Sequence, residues 1–318
     1  MKEFNSKTMS NVYDLNFIPT KEYLKSLPDL AEGDIKGAHE NIERVGISNF
    51  HLPLKIKTKG GGTQELEASI VGTVSLEGIK KGINMSRIIR TFYDYQYQTF
   101  DISILETILK DYRSKLGSFD ADIMITFRYR MWQESLRSVD DKGDKNGGWQ
   151  YYNITLEGNI NKNGDFKKII HFDFVYSSTC PCSSDLSIHA METRNQYATP
   201  HSQRSIMRTS ILFNEFLWIE DIHKLMLDSL KTETQVFVKR EDEQAFAELN
   251  AANTKFVEDA VRLVYESFDK DDKILDFKLV ASHNESLHSH DAIAVMVKGI
   301  ENGFDDRVST HELKSLLY

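Results

Sequence analysis

A chain of 318 residues with 40% hydrophobic and 27% charged residues can bury a sizeable core, as one large domain or as two modules. Its formal net charge of −9 argues against a broad nucleic-acid-binding face, yet leaves room for a small basic pocket that takes one anionic metabolite. No stretch approaches the roughly 18 apolar residues of a membrane span, and the opening MKEFNSKTMSNVYDLNF lacks the apolar core of a secretory signal, so a cytoplasmic protein with reduced thiols is expected.

Residues 1 to about 45 are polar and irregular and read as an arm. HLPLKIKT and LEASIVGTVSLEG then read as two strands joined by the turn Lys59-Gly60-Gly61-Gly62. Residues 84–117 read as two helices, the second ending at Gly117 with Ile104, Leu105, Ile108, Leu109, Tyr112 and Leu116 on one face. ADIMITFRYRMW alternates as a strand, DDKGDKNGG (140–148) reads as a flexible loop, and the next hairpin turns at Asn163-Gly164. After SSTCPCSSDLS the pattern restarts: QRSIMRTSILF as a strand, WIEDIHKLMLDSLK as a helix, TQVFVK as a strand. Two more helices, EDEQAFAELN and TKFVEDAVRLVYESF, precede the closing strands KILDFKLVAS and DAIAVMVKG. Strands, then helices, then strands, twice over, favour an α+β fold with antiparallel sheets and suggest tandem copies of one module.

The chain has two cysteines, Cys180 and Cys182, separated by Pro181. Cysteines at i and i+2 make a poor disulfide with each other, so three readings stay open: small buried residues, a metal site, or a reactive thiol. Proline argues for an extended element ending in a turn here. Of the ten histidines, His39, His51, His171, His223 and His311 need no special role. Three clusters carry more chemistry: the cysteine pair with ATPHSQRS, then VKREDEQ with KFVEDAVR, then HNESLHSHDA. Together they supply thiolate, imidazole and carboxylate, the donors that zinc and similar divalent ions prefer.

In order, STCPCSSDLS…HSQRS, VKREDEQAF…TKFVEDAVR and NESLHSHDAIA resemble the signature segments of the type IB GTP cyclohydrolases. KKGINMSR at 80–87 and IERVGISNFHLPL are similar to two earlier segments of that family, so the likeness runs from about residue 40 to 300. The resemblance implies tandem tunnelling-fold (T-fold) modules with helices layered on one face of the sheets: an arm at 1–45, a first module at 46–160, and a second at 161–318 carrying most of the site. It also implies a homotetramer with active sites at interfaces, GTP as substrate, one divalent metal per site (zinc, manganese or iron(II)), and no nucleic-acid or membrane partner. By motif position, the implied metal ligands are Cys180, His201 and Glu243. Cys182 becomes a pocket thiol that carries protons and His288 a proton-shuttling histidine, with His290 beside it. Glu258 becomes the carboxylate that anchors guanine, presenting two acceptors to two adjacent donors. Arg204, Arg87 and Lys81 are the cations expected near the triphosphate. The implied reaction converts GTP and water into 7,8-dihydroneopterin triphosphate and formate, the first step of folate or pterin synthesis.

Two departures from the family pattern stand out. Asn84 occupies a position where the family has histidine, and asparagine cannot titrate. The link from CPC to His201 is several residues longer, and His189 inside it is a competing candidate ligand. Either feature leaves room for a related T-fold metalloenzyme, or a silent binding protein, that takes another purine or pterin.

Overall fold

Alternating burial along the strands sets the architecture. In β1 (Ile42–Lys57), Leu52, Leu54 and Ile56 are buried while the residues between them face solvent. β2 (Thr63–Leu76) repeats the pattern through Ala68, Ile70, Val74 and Leu76. The computed structural model describes residues 13–28, 34–309 and 312–313. His311 and parts of the expected arm lie outside the described residues; what is described of the arm includes a short helix, α1 (Lys21–Ser26), with no buried residue.

The chain continues through α2 (Met85–Tyr95), β3 (Thr99–Phe100), α3 (Ile102–Leu116), β4 (Ala121–Val139), β5 (Lys145–Ile160), β6 (Phe166–Thr179) and α4 (Pro181–Arg194). It ends with β7 (Ser202–Phe213), α5 (Ile219–Leu230), α6 (Arg240–Ala252), α7 (Val257–Asp269), β8 (Ile274–His283) and β9 (Ala292–Val297). These form one nine-stranded sheet of order β3-β1-β2-β4-β5-β6-β7-β8-β9, antiparallel except for the short β1–β3 pairing. A strand-strand-helix-helix-strand-strand sequence runs once through β5 and again from β6, with α4 and α6 as additions to the second half. Helices α2 and α3 pack on the first half's strands, and α5 and α7 on the second's. A single hydrophobic core runs beneath them.

Helix α3 buries Leu105, Ile108, Leu109 and Tyr112, and packs on bare backbone at Gly158, where a Cβ would come within 2.6 Å of Leu105. It stops at Gly117, whose φ of +61° lets Ser118 N–H donate to Arg113 O at 3.2 Å. In α5, Ile219, Ile222, Met226 and Leu230 are buried as the period requires.

Two expected elements differ. The 140–148 loop shrinks to a tight turn in which Asp140 Oδ1 accepts from Lys142 N–H (2.8 Å) and Asp144 N–H (3.0 Å). Gly147 belongs to β5 because the Trp132 ring lies across it, 2.8 Å from where a Cβ would stand. TQVFVK (234–239) is not a strand. Gln133 occupies its backbone groups instead, with Nε2 donating to Thr234 O (3.0 Å) and Oε1 accepting from Val236 N–H (2.9 Å).

Candidate active site

The β6–β7 ladder pairs Thr179 with Ser202. One step further, Cys180 N–H donates to His201 O at 3.3 Å, so residues 21 positions apart in sequence (201 − 180) face each other at the ladder's end. Most of the link between them is α4. Cys180 is its N-cap, in extended conformation (φ −66°, ψ 123°), and Pro181 opens its first turn. This corrects the extended reading of CPC: proline breaks a helix interior but suits the first helical position, where no amide hydrogen is needed. The start of α4 is tied to β7 by His201 N–H, which donates to Ser183 Oγ at 3.2 Å. His189 rides nine residues up α4, roughly 13 Å from Cys180 along the helix. It is exposed.

Behind His201 a polar track replaces the apolar pattern of the ladder. His201 Nδ1 lies 3.0 Å from Gln203 Oε1, Gln203 Nε2 donates to Ser178 Oγ (2.7 Å), and Ser178 Oγ is 2.8 Å from Ser205 Oγ. Glu285 Oε2, just beyond β8, is 3.4 Å from the same His201 nitrogen. Ser205 also makes room for Tyr176 on β6 to reach His283 on β8, with OH to Nε2 at 2.9 Å. Lys255 N–H donates to Thr179 O at 3.1 Å, which brings the start of α7, and with it Glu258, to this end of the sheet. The Lys255 side chain is buried, and burial pulls its ammonium down to about 8. Burial, and then the nearby Lys255 charge, takes His283 down to about 4, so that imidazole is neutral.

The remaining candidates spread out. Cys182 and Glu258 are exposed, in the first turns of α4 and α7. Glu243 is exposed in the first turn of α6. That turn is anchored by its neighbour Asp242, which accepts from Arg137 N–H (2.7 Å), Ser138 N–H (2.9 Å) and Lys239 N–H (2.9 Å). His288 and His290 are exposed and stacked, with ring centroids 4.8 Å apart. Arg204 sits opposite Ser177 in the ladder, on the face away from Gln203. Lys81 and Arg87 belong to the first half; Arg87 donates to Lys115 O at 2.8 Å, and β1, which α2 packs on, lies four strand steps (roughly 19 Å) from β6. Asn84 stands at the N-cap position of α2 without a side-chain bond to the helix backbone; its Oδ1 accepts from Ser86 Oγ at 2.6 Å. His171 and His223 have ordinary partners: His171 lies between Ser210 and Glu157, His223 beside Tyr152 and Glu233.

A thiol and an imidazole from residues joined through their backbones, both half-buried, are donors that fit a divalent ion of the zinc type. Among the described residues, no three His, Cys, Asp or Glu side chains gather into a complete ligand set, and Glu243 does not join Cys180 and His201. Two residues with a place here went unassigned from sequence. Glu285 lies within HNESLHSHDA and Gln203 within SQRS, but only the fold shows that both meet one ring.

The family model described as type I GTP cyclohydrolase folE2 matches residues 27–294. The chain belongs to this family. It is 52% identical over 295 residues to GTP cyclohydrolase FolE2 of Paracoccus denitrificans (strain Pd 1222), covering 92% of this chain and 90% of that one. It is 50% identical over 299 residues to GTP cyclohydrolase FolE2 of Dinoroseobacter shibae (strain DSM 16493 / NCIMB 14021 / DFL 12), with coverages of 92% and 80%. Among solved structures, a hyper-thermostable uricase mutant superposes with a TM-score of 0.51 at 8% identity, covering 84% of this chain and 94% of that one. At that identity the likeness concerns the fold alone, and it agrees with the antiparallel α+β arrangement expected from sequence. As a FolE2 family member, the chain carries all three signature segments on the second half of the sheet and the helices beside it. No helix among the described residues is long and apolar enough to cross a membrane.

Proposed function

We propose that this protein is a GTP cyclohydrolase, converting GTP and water into 7,8-dihydroneopterin triphosphate and formate at the head of folate synthesis. The observation that carries the reading is the meeting of Cys180 and His201 at the end of the β6–β7 ladder, in a chain of the FolE2 family. Cys180, His201 and Glu243 would hold one divalent ion, zinc, manganese or iron(II). When bound, the ion supplies Lewis-acid activation of water for attack at C8 of the purine. Glu258 orients the guanine by accepting from its ring N–H and its exocyclic amine. Cys182 at Sγ and His288 at its ring nitrogens move protons as the imidazole ring opens.

Residues 46–160 and 161–318 act as the two T-fold modules behind the arm at 1–45, and the cytoplasmic enzyme works as a homotetramer. Lys81 and Arg87 reach the triphosphate from a second copy, since their own half of the sheet is remote from Cys180; Arg204 is the third cation.

The test is incubation with GTP after loading with each of the three metals. Formate should appear, and oxidation followed by phosphatase should give a fluorescent pterin. Absence of both with every metal defeats the reading, and GTP retained without formate marks a silent binder. Cys180→Ala should lose the metal, whereas Cys182→Ala should keep it and lose turnover.

A further inference from the structure

The ladder that ends at Cys180 and His201 is apolar for most of its length, but its last helix-side positions are Ser178, Gln203 and Ser205, nearly or fully buried and all polar. Such groups persist inside a core only when each has its partner. Gln203 has one at either end: Ser178 Oγ on its amide nitrogen (2.7 Å) and His201 Nδ1 on its oxygen (3.0 Å). The carboxamide therefore spans from the sheet interior to the imidazole.

A neutral imidazole carries one N–H, and which nitrogen keeps it depends on what the two nitrogens face. At His201, two oxygens converge on Nδ1: Gln203 Oε1 and, at 3.4 Å, Glu285 Oε2. A carboxylate only accepts. If the carboxamide were turned to donate to Nδ1, the bare nitrogen would also face the Glu285 oxygen, acceptor against acceptor. With Nδ1 protonated, Gln203 and Glu285 both accept, Gln203 Nε2 donates to Ser178, and the Nε2 lone pair of His201 is left free.

We propose that Gln203 is a positioning residue that, braced by Ser178, holds His201 as the Nδ1–H tautomer and so makes Nε2 its metal-binding nitrogen. The metal half rests on the reading of His201 as a ligand; the tautomer half does not, and can be measured on metal-free protein. Outer-shell partners of this kind typically change metal affinity about 10- to 100-fold when removed.

The experiment uses full-length protein with histidine-selective 15N labelling, His201 being assigned by loss of its signals in His201→Gln. In the neutral form of the His201 ring, the wild type, free of metal, should show a protonated Nδ1 and an unprotonated Nε2. Gln203→Leu, which keeps the size but no polar atom, should mix the tautomers and weaken zinc about 10- to 100-fold in a chelator competition. Gln203→Glu, which keeps an acceptor and lets the Ser178 hydroxyl turn to donate, should recover most of that affinity. Thermal melts establish that each variant is folded, and if Gln203→Leu does not fold, the wild-type tautomer decides. An Nε2–H tautomer in the wild type, or a folded Gln203→Leu within twofold of wild type for zinc, overturns the proposal. An Nδ1–H tautomer in a wild type that takes up none of zinc, manganese and iron(II) overturns the metal half and, with it, the ligand assignment under the proposed function.

Discussion

Lys255 is a buried cation whose side chain touches only neutral partners: Nζ donates to Asn253 O at 2.6 Å and to Thr232 Oγ1 at 3.2 Å, and among the described residues no carboxylate pairs with it. An ammonium held at about 8 instead of 10.5 is worth about 3 kcal/mol less in the folded chain than in water. Lys255→Met keeps the unbranched stem and removes that cost. Against it stand two lost hydrogen bonds at about 1 kcal/mol each, partly offset by the thioether's own burial. The variant should therefore be about 1–2 kcal/mol more stable at pH 7, read from urea unfolding at fixed protein concentration. The pH dependence identifies the cause. Between about 8 and 10.5 the unfolded chain binds the proton and the folded chain releases it, so wild-type stability rises with pH across that window. The methionine advantage should accordingly vanish or reverse by pH 10. A variant less stable than wild type at pH 7, or a difference that stays constant from pH 7 to pH 10, would refute the reasoning.

Three further outcomes are expected. Burial alone would push the Asp242 carboxyl up, but donors from Ser138, Lys239 and Arg137 hold it well below its usual value of 3.8, so its stabilisation is present above that pH and lost as pH falls through the folded value. Asp242→Asn puts a donor against Lys239 N–H and should cost about 2 kcal/mol at neutral pH in urea unfolding, less in acid. His283, held at about 4, contributes fully above 6.5 and loses its contribution as pH falls from 6.5 towards 4; His283→Gln should flatten that acid limb of the stability curve. His189→Ala should leave zinc content unchanged in metal analysis, because α4 carries that ring away from Cys180.

Much of the sheet was legible because its strands are long and half-buried, so the period of two survives in β1, β2, β4 and β7. The exceptions have local causes. The glycines of 140–148 looked like loop residues, yet Gly147 is a strand residue under a tryptophan from the facing strand. Val236 and Val238 looked like a strand, but a glutamine side chain occupies the backbone groups a neighbouring strand would need. Neither substitution of one partner for another leaves a mark on the segment's own periodicity. Pro181 differs in kind: proline disfavours a helix interior, but this residue stands at a helix start, where it is well suited.

The site divides along the same line. Motif order placed Cys180 and His201 in one family pattern, and the ladder joins them. What spacing could not carry is the relation between residues that meet only through register. Gln203 is two positions from His201 and so on its face of the strand, Ser178 stands across from it, and Glu285 arrives from the end of the next strand. Each alone is an unremarkable polar residue in a loop or strand. Only when β6, β7 and β8 are laid in register do a carboxamide and a carboxylate converge on one imidazole nitrogen, with the Ser178 hydroxyl accepting from the far end of the carboxamide. The same register argument covers the link itself: α4 starts from the ladder's end, while the pairing of Cys180 with His201, on which the proposed chemistry depends, is fixed by the strands on either side.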